Sequence, residues 1–235
     1  MPRRYWYVIL TYVIGLLSGV IGGPLLVALG VPMEQVSGVW SIIVFPIMAI
    51  VIIQLLRPDM KQAREQRSIS TGHKILWVIG GFFLVLAANY SAAMIELALG
   101  IEPGSDNTAN LMNIARDLPL FLIVTAILAP LLEEVVFRKI IFGSIYKKYN
   151  FFIAAIISAI IFGILHQEPE HLLIYTSVGM VFAFVYVKTK TILVPILIHV
   201  SINTFVFLIQ YNVTEEDIER MREELEQLQT ILIGG

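Results

Sequence analysis

Residues 118–142 read LPLFLIVTAILAPLLEEVVFRKIIF. A helix needs about 20 apolar residues, rising about 1.5 Å each, to cross the hydrocarbon core of a bilayer, and this run is long enough. It nevertheless carries Glu133, Glu134 and Arg138 well inside it. A charged side chain at mid-bilayer costs about 2.5–3.5 kcal/mol on the insertion scale, so such groups face protein or a water-filled space and mark function by default. The stretch therefore predicts a membrane-spanning helix with a polar site built into it.

Working outward, similar apolar runs occupy 6–29, 37–56, 75–99, 151–166, 171–187 and 192–210, the fifth and sixth spans in chain order being short. The composition agrees: 57% hydrophobic and 14% charged, against roughly half and a quarter in a soluble domain. The expectation is an all-α, polytopic membrane helix bundle of about seven transmembrane helices. It forms a single unit over 1–235: N-terminal scaffold helices to 117, a core at 118–207 and a tail at 211–235. Arg3 and Arg4 lead into a long apolar run without a small-residue exit, which predicts a retained first helix rather than a signal peptide. The chain has no cysteine, which removes disulfides, thiolate metal sites and a Cys nucleophile. A net charge of -2 with no basic block suited to nucleic acid and no long acidic run names no partner by itself; the apolar composition makes a lipid bilayer the surrounding partner, and oligomeric state is left open.

Lys and Arg in short connections set orientation. Arg3 and Arg4 precede span one; Arg57, Lys61, Arg64, Arg67 and Lys74 follow span two; Lys139, Lys147 and Lys148 end span four; Lys188 and Lys190 follow span six. All fall on one side. The opposite connections hold Glu34, then Glu102, Asp106, Arg116 and Asp117, then Glu168 and Glu170. This alternation predicts a multi-pass cell-membrane protein with a cytoplasmic N-terminus and the C-terminus on the other face. Trp6, Trp40 and Trp77 suit interfacial anchoring or core packing equally. The segment 101–117 reads as a loop with a short surface helix. Thr214 and Asp217 resemble a capping box, and Ile218, Met221, Leu225, Leu228 and Leu232 recur at helical spacing, predicting an amphipathic C-terminal helix.

Three spans carry polar groups: Glu133, Glu134 and Arg138 in the fourth, His166 at the end of the fifth, His199 and Asn203 in the last. Glu134 and Arg138 stand at i,i+4, the spacing of an intrahelical ion pair. Glu133 points about 100° away around the axis, leaving its carboxylate available. His199 and Asn203 share a face by the same spacing. From the cytoplasmic ends, the helical rise puts Glu133, His166 and Asn203 roughly 15–25 Å deep and His199 about 10 Å, so the groups can meet in one layer, reached from the cytoplasmic half or the membrane centre. Pro130, one turn before Glu133, is expected to kink its helix and either to open a backbone carbonyl near the site or, equally, to serve packing alone. Gly163 and Gly179 suit close helix contacts, and His73 and His171 read as interfacial or loop residues.

A carboxylate assisted by histidine can take a proton from water and deliver a hydroxide equivalent to an amide carbonyl. A second histidine and an asparagine amide can donate to the oxyanion that forms. Glu133, His166 and His199 also make a zinc-like ligand set. The bland alternatives are a buried ion-pair knot for the glutamates and Arg138, an interfacial histidine at 166, and interhelical hydrogen bonding by His199 and Asn203.

Glu133-Glu134-x-x-x-Arg138, Phe162-x-x-x-His166 and His199-x-x-x-Asn203, in this order on apolar helices, resemble the CPBP family of intramembrane proteases, which includes CAAX prenyl endopeptidases and bacteriocin-processing or immunity proteins. The resemblance spans roughly 118–207. It implies an intramembrane endopeptidase acting on a membrane-associated peptide or protein, with Glu133 and His166 activating water, His199 and Asn203 holding the oxyanion, and Glu134, Arg138 and Phe162 in support, no cofactor being required. A divalent metal such as zinc on Glu133, His166 and His199, or a non-catalytic peptide-binding or immunity protein with the same cluster, are the alternatives. A proton-coupled carrier is disfavoured, since no inverted repeat is visible.

Overall fold

The computed structural model describes residues 1–65, 69–212 and 220, and these are helical with short connections. Helices α1 (Arg3–Leu17) and α2 (Gly19–Ala28) run on from one another as one apolar rod. α3 (Met33–Leu55) returns; α4 (Arg57–Glu65) follows along the basic end; α5 (Thr71–Ala98) crosses again; α6 (Asp106–Asp117) is the short helix expected in the acidic connection. Residues 121–146 form a composite helix: α7 (Phe121–Ile123), a π-helical turn Val124–Leu128, α8 (Ala129–Glu134), a longer π segment Val135–Phe142 and α9 (Gly143–Tyr146). α10 (Phe151–Ile164), α11 (Leu172–Thr189) and α12 (Leu193–Asn212) complete the order.

Five rods among the described residues are long and apolar enough to cross a membrane: Arg3–Ala28, Met33–Leu55, Thr71–Ala98, Pro169–Thr189 and Leu193–Asn212. The other two expected spans differ in kind. α10 has 14 residues, about 21 Å of rise, and the composite helix alternates α and π turns along its length. The helical ends follow local chemistry. Ser70, Ser105 and Asn150 accept the N–H of His73, Thr108 and Ile153, satisfying donors that a helix start leaves orphaned. α5 stops where Gly100 takes φ +84°, letting Ile101 N–H return to the Glu96 carbonyl at 3.0 Å, a Schellman closure that a side chain would strain.

The composite helix is the centre of the bundle. Leu132, Val136, Phe137 and Ile140 pack with Tyr5, Val8 and Tyr12 of α1, with Met48 and Ile52 of α3, and with Phe162 of α10. A second core joins Val85 of α5, Phe182 and Val185 of α11, and Val194 and Ile198 of α12. α10 and α11 meet at Gly179, where a Cβ would lie 2.9 Å from the Ala159 Cβ; the close approach needs the missing side chain. At the basic end Arg4 Nε and Tyr5 Oη donate to Asp59 at 2.6 and 2.5 Å, tying α1 to α4. Trp40 is anchored to protein, its indole N–H donating to Ser18 Oγ at 3.0 Å, whereas Trp6 is exposed. The expected amphipathic helix that begins at Thr214 and Asp217 lies outside the described residues.

Candidate active site

Pro130 creates the first feature of the site. It has no N–H to give, and the Ala129 N–H goes instead to the Val124 carbonyl, closing the π turn. The Thr125 carbonyl is left without a backbone donor, and Asn203 Nδ2 of α12 donates to it at 3.1 Å. The proline thus opens a carbonyl, and the open carbonyl fixes the asparagine. π turns of this kind recur at functional sites.

Four residues on, the two glutamates diverge. Glu134 is wholly buried and stands 3.3 Å from the Nε of Arg138, itself 1% exposed. The guanidinium is clasped by rings, its Cζ 4.3 Å from the Phe162 centroid and 5.0 Å from that of Phe182; these faces give the cation electrostatic company where Nη1 and Nη2 find no hydrogen bond. Glu134 also accepts from His199 Nδ1 at 3.0 Å. A carboxylate in that pairing only accepts, so the proton sits on Nδ1 and the Nε2 edge is turned toward Glu133, 3.8 Å from its Oε2. Glu134 is therefore more than half of an intrahelical pair: it orients the histidine of another helix. Glu133 keeps 19% of its side-chain surface open.

His166 lies just beyond α10, where Gln167 adopts φ +60° and ends the turn. Its Nδ1 meets the Phe162 carbonyl at 2.9 Å; the carbonyl can only accept, which leaves Nε2 as the ring's free lone pair. The ring stacks on Tyr175 with centroids 4.0 Å apart, and Phe162 touches it edge-on at 4.6 Å. Phe162 thereby contacts both Arg138 and His166.

A cavity of about 570 Å³ is lined together by Glu133, His166, His199 and Asn203, brought from the composite helix, the end of α10 and α12. It runs to residues 101–105 and 165–167, the connections that carry Glu102 and Glu168. Glu134 and Arg138 sit behind the wall. Among the described residues no three His, Asp or Glu side chains gather as a metal-ligand set.

Two polar features escape a sequence reading. Glu96 of α5 is 3% exposed and holds His171 Nδ1 at 2.8 Å and the Ile174 N–H at 3.2 Å, so His171 is a buried pairing partner rather than an interfacial residue. Glu168 accepts from Ser105 Oγ, from the Asn107 N–H at 2.9 Å and from Tyr175 Oη. Burial pushes its carboxyl up, but the bonds from Tyr175, the Asn107 amide and Ser105, with His171 nearby, outweigh that and leave it below the usual carboxylate range. Tyr175 is 7 positions from Glu168, but the other partners lie 61 to 78 residues away in sequence, beyond any local spacing; the only signal was an acid at a span end facing a polar connection.

The family of type II CAAX prenyl endopeptidases described as Rce1-like matches residues 115–205. The chain is 42% identical to the putative membrane peptidase YdiL of Bacillus subtilis, over all of this chain and 99% of that protein. It is 32% identical to the membrane-embedded CAAX protease MroQ of Staphylococcus aureus, over 88% of this chain and 90% of that one, and 30% identical to the UPF0177 protein YxdF of Lactococcus lactis, over 56% and 75%. No solved structure matches. With its all-helical membrane architecture and these relatives along nearly its full length, the chain belongs to the Rce1-like CAAX protease family of membrane peptidases.

Proposed function

We propose that the protein hydrolyses a peptide bond of a membrane-associated peptide or protein with water activated by Glu133 and His166. The observation that carries this is the single cavity shared by Glu133, His166, His199 and Asn203. Glu133, the glutamate left open, takes a proton from water while the His166 Nε2 lone pair orients that water; the oxygen attacks the amide carbon and the carbonyl oxygen becomes an oxyanion. The amide of Asn203, held by Thr125, and the Nε2 of His199 face that oxygen. Donation from His199 Nε2 requires the doubly protonated ring, with Glu134 as its countercharge. Collapse breaks the C–N bond, and the proton held by Glu133 passes to the departing amine. No covalent intermediate forms.

The basic connections favour a cell-membrane protein with its N-terminus in the cytoplasm. The relative named a CAAX protease supports the reaction class; the cavity, bounded by helix and connection, suits an extended peptide segment. Detergent-purified protein incubated with a fluorogenic peptide library tests the reading: cleavage should survive a strong chelator and vanish in Glu133→Gln. Loss with chelator and rescue by zinc would instead make Glu133, His166 and His199 metal ligands.

A further inference from the structure

Helix α1 lies outside the residues that match the family, yet one of its side chains opens onto the cavity. Tyr12 is 4% exposed, packs its ring edge-on against Phe137 at 6.2 Å and lines the cavity with Glu133 and His166. A buried phenol ordinarily gives its O–H to a partner. Tyr5, two helical turns earlier, gives its own to Asp59 at 2.5 Å, and Tyr175 gives its own to Glu168. The Tyr12 hydroxyl makes no hydrogen bond to any described residue. Its oxygen is also absent from the fully occluded, unpaired atoms of the interior, so it has access to space, and the space its residue borders is the cavity. Its ring belongs to the same apolar cluster as Val8, Phe45 and Leu132. A donor held rigidly by its ring, unpaired among the described residues and lining the same cavity as Glu133, lacks only an acceptor.

We infer that the Tyr12 hydroxyl is a substrate-contacting group, donating a hydrogen bond to a backbone carbonyl of the peptide that lies beside Glu133. This rests on the function proposed above. A carbonyl is the acceptor every extended peptide carries, so the contact holds the chain in place without reading a side chain. The first helix is then part of the binding wall, not only scaffold.

Tyr12→Phe removes the hydroxyl and keeps the ring on Phe137, so the fold is expected to persist with an unchanged melting temperature. For a library peptide that the wild type cleaves, KM should rise roughly tenfold, the order expected for one lost hydrogen bond, while kcat stays within about twofold, as for an interaction made equally in ground and transition states. Binding of the same labelled peptide to a Glu133→Gln protein should weaken by a similar factor when Tyr12→Phe is added. Unchanged KM and unchanged binding in the Phe variant would overturn the inference. A wild type that binds peptide without cleaving it would overturn the proposed hydrolysis but leave the Tyr12 contact to be decided by the binding comparison. A wild type that binds no peptide at all would overturn both.

Discussion

At position 134 a carboxylate is sealed away from solvent and answered by a guanidinium with 1% exposure; its neighbour in sequence opens to a cavity. Helical period alone separates the two, and that separation was legible before any coordinates: i,i+4 pairs Glu134 with Arg138, and 100° frees Glu133. Invisible in sequence was that Glu134 also holds His199, since nothing local links a residue to one 65 positions away. The consequence is a difference in what substitutions do. Arg138→Met leaves Glu134 as a buried charge without its cation and should destabilise the protein by about 3–5 kcal/mol, read as a large fall in the detergent melting temperature. Glu133→Gln alters a group on the cavity wall and should move the melting temperature little. The reverse order would mean that Glu133, not Glu134, is the structural carboxylate.

Between residues and bundle stands the composite helix. A helix interior disfavours proline by about 3 kcal/mol, and here the lost N–H is used: the Thr125 carbonyl turns to Asn203. Pro130→Ala supplies an N–H to that turn and relaxes it toward a regular α-helix. It should raise the melting temperature while lowering peptide turnover about tenfold or more, because Asn203 loses its anchor. A variant more stable and equally active would show that the proline has no bearing on the site. The open carbonyl was legible from Pro130 itself; the π segments on either side were not. Close packing can be tested at Gly179 as well. Val there meets Ala159 at a spacing that already leaves no room for a Cβ and should cost about 1–3 kcal/mol, seen as a lower unfolding temperature.

Over the whole molecule, apolar length and the Lys and Arg pattern were enough to read a multi-pass helical membrane protein, and the order of the motif helices was enough to read its family. Length could not show that one expected span is a 14-residue helix and another a composite of α and π turns, nor that the cavity runs toward the acidic connections. Those connections are joined by Glu168. Its carboxyl lies below the ordinary glutamate value of 4.5, so its bonds stabilise the fold above that value and the contribution is lost as pH falls through the lowered one. Melting temperature followed from neutral pH down to about pH 3 should therefore drop more steeply in the wild type than in Glu168→Gln; parallel curves would remove Glu168 as the acid-sensitive clamp. The central claim is that four groups from three segments form one hydrolytic site around Glu133. It is tested most directly by cleavage of a fluorogenic peptide library by purified wild type and Glu133→Gln in the presence of a strong chelator: cleavage by the wild type alone is the predicted result, and equal cleavage by the Gln variant would contradict it.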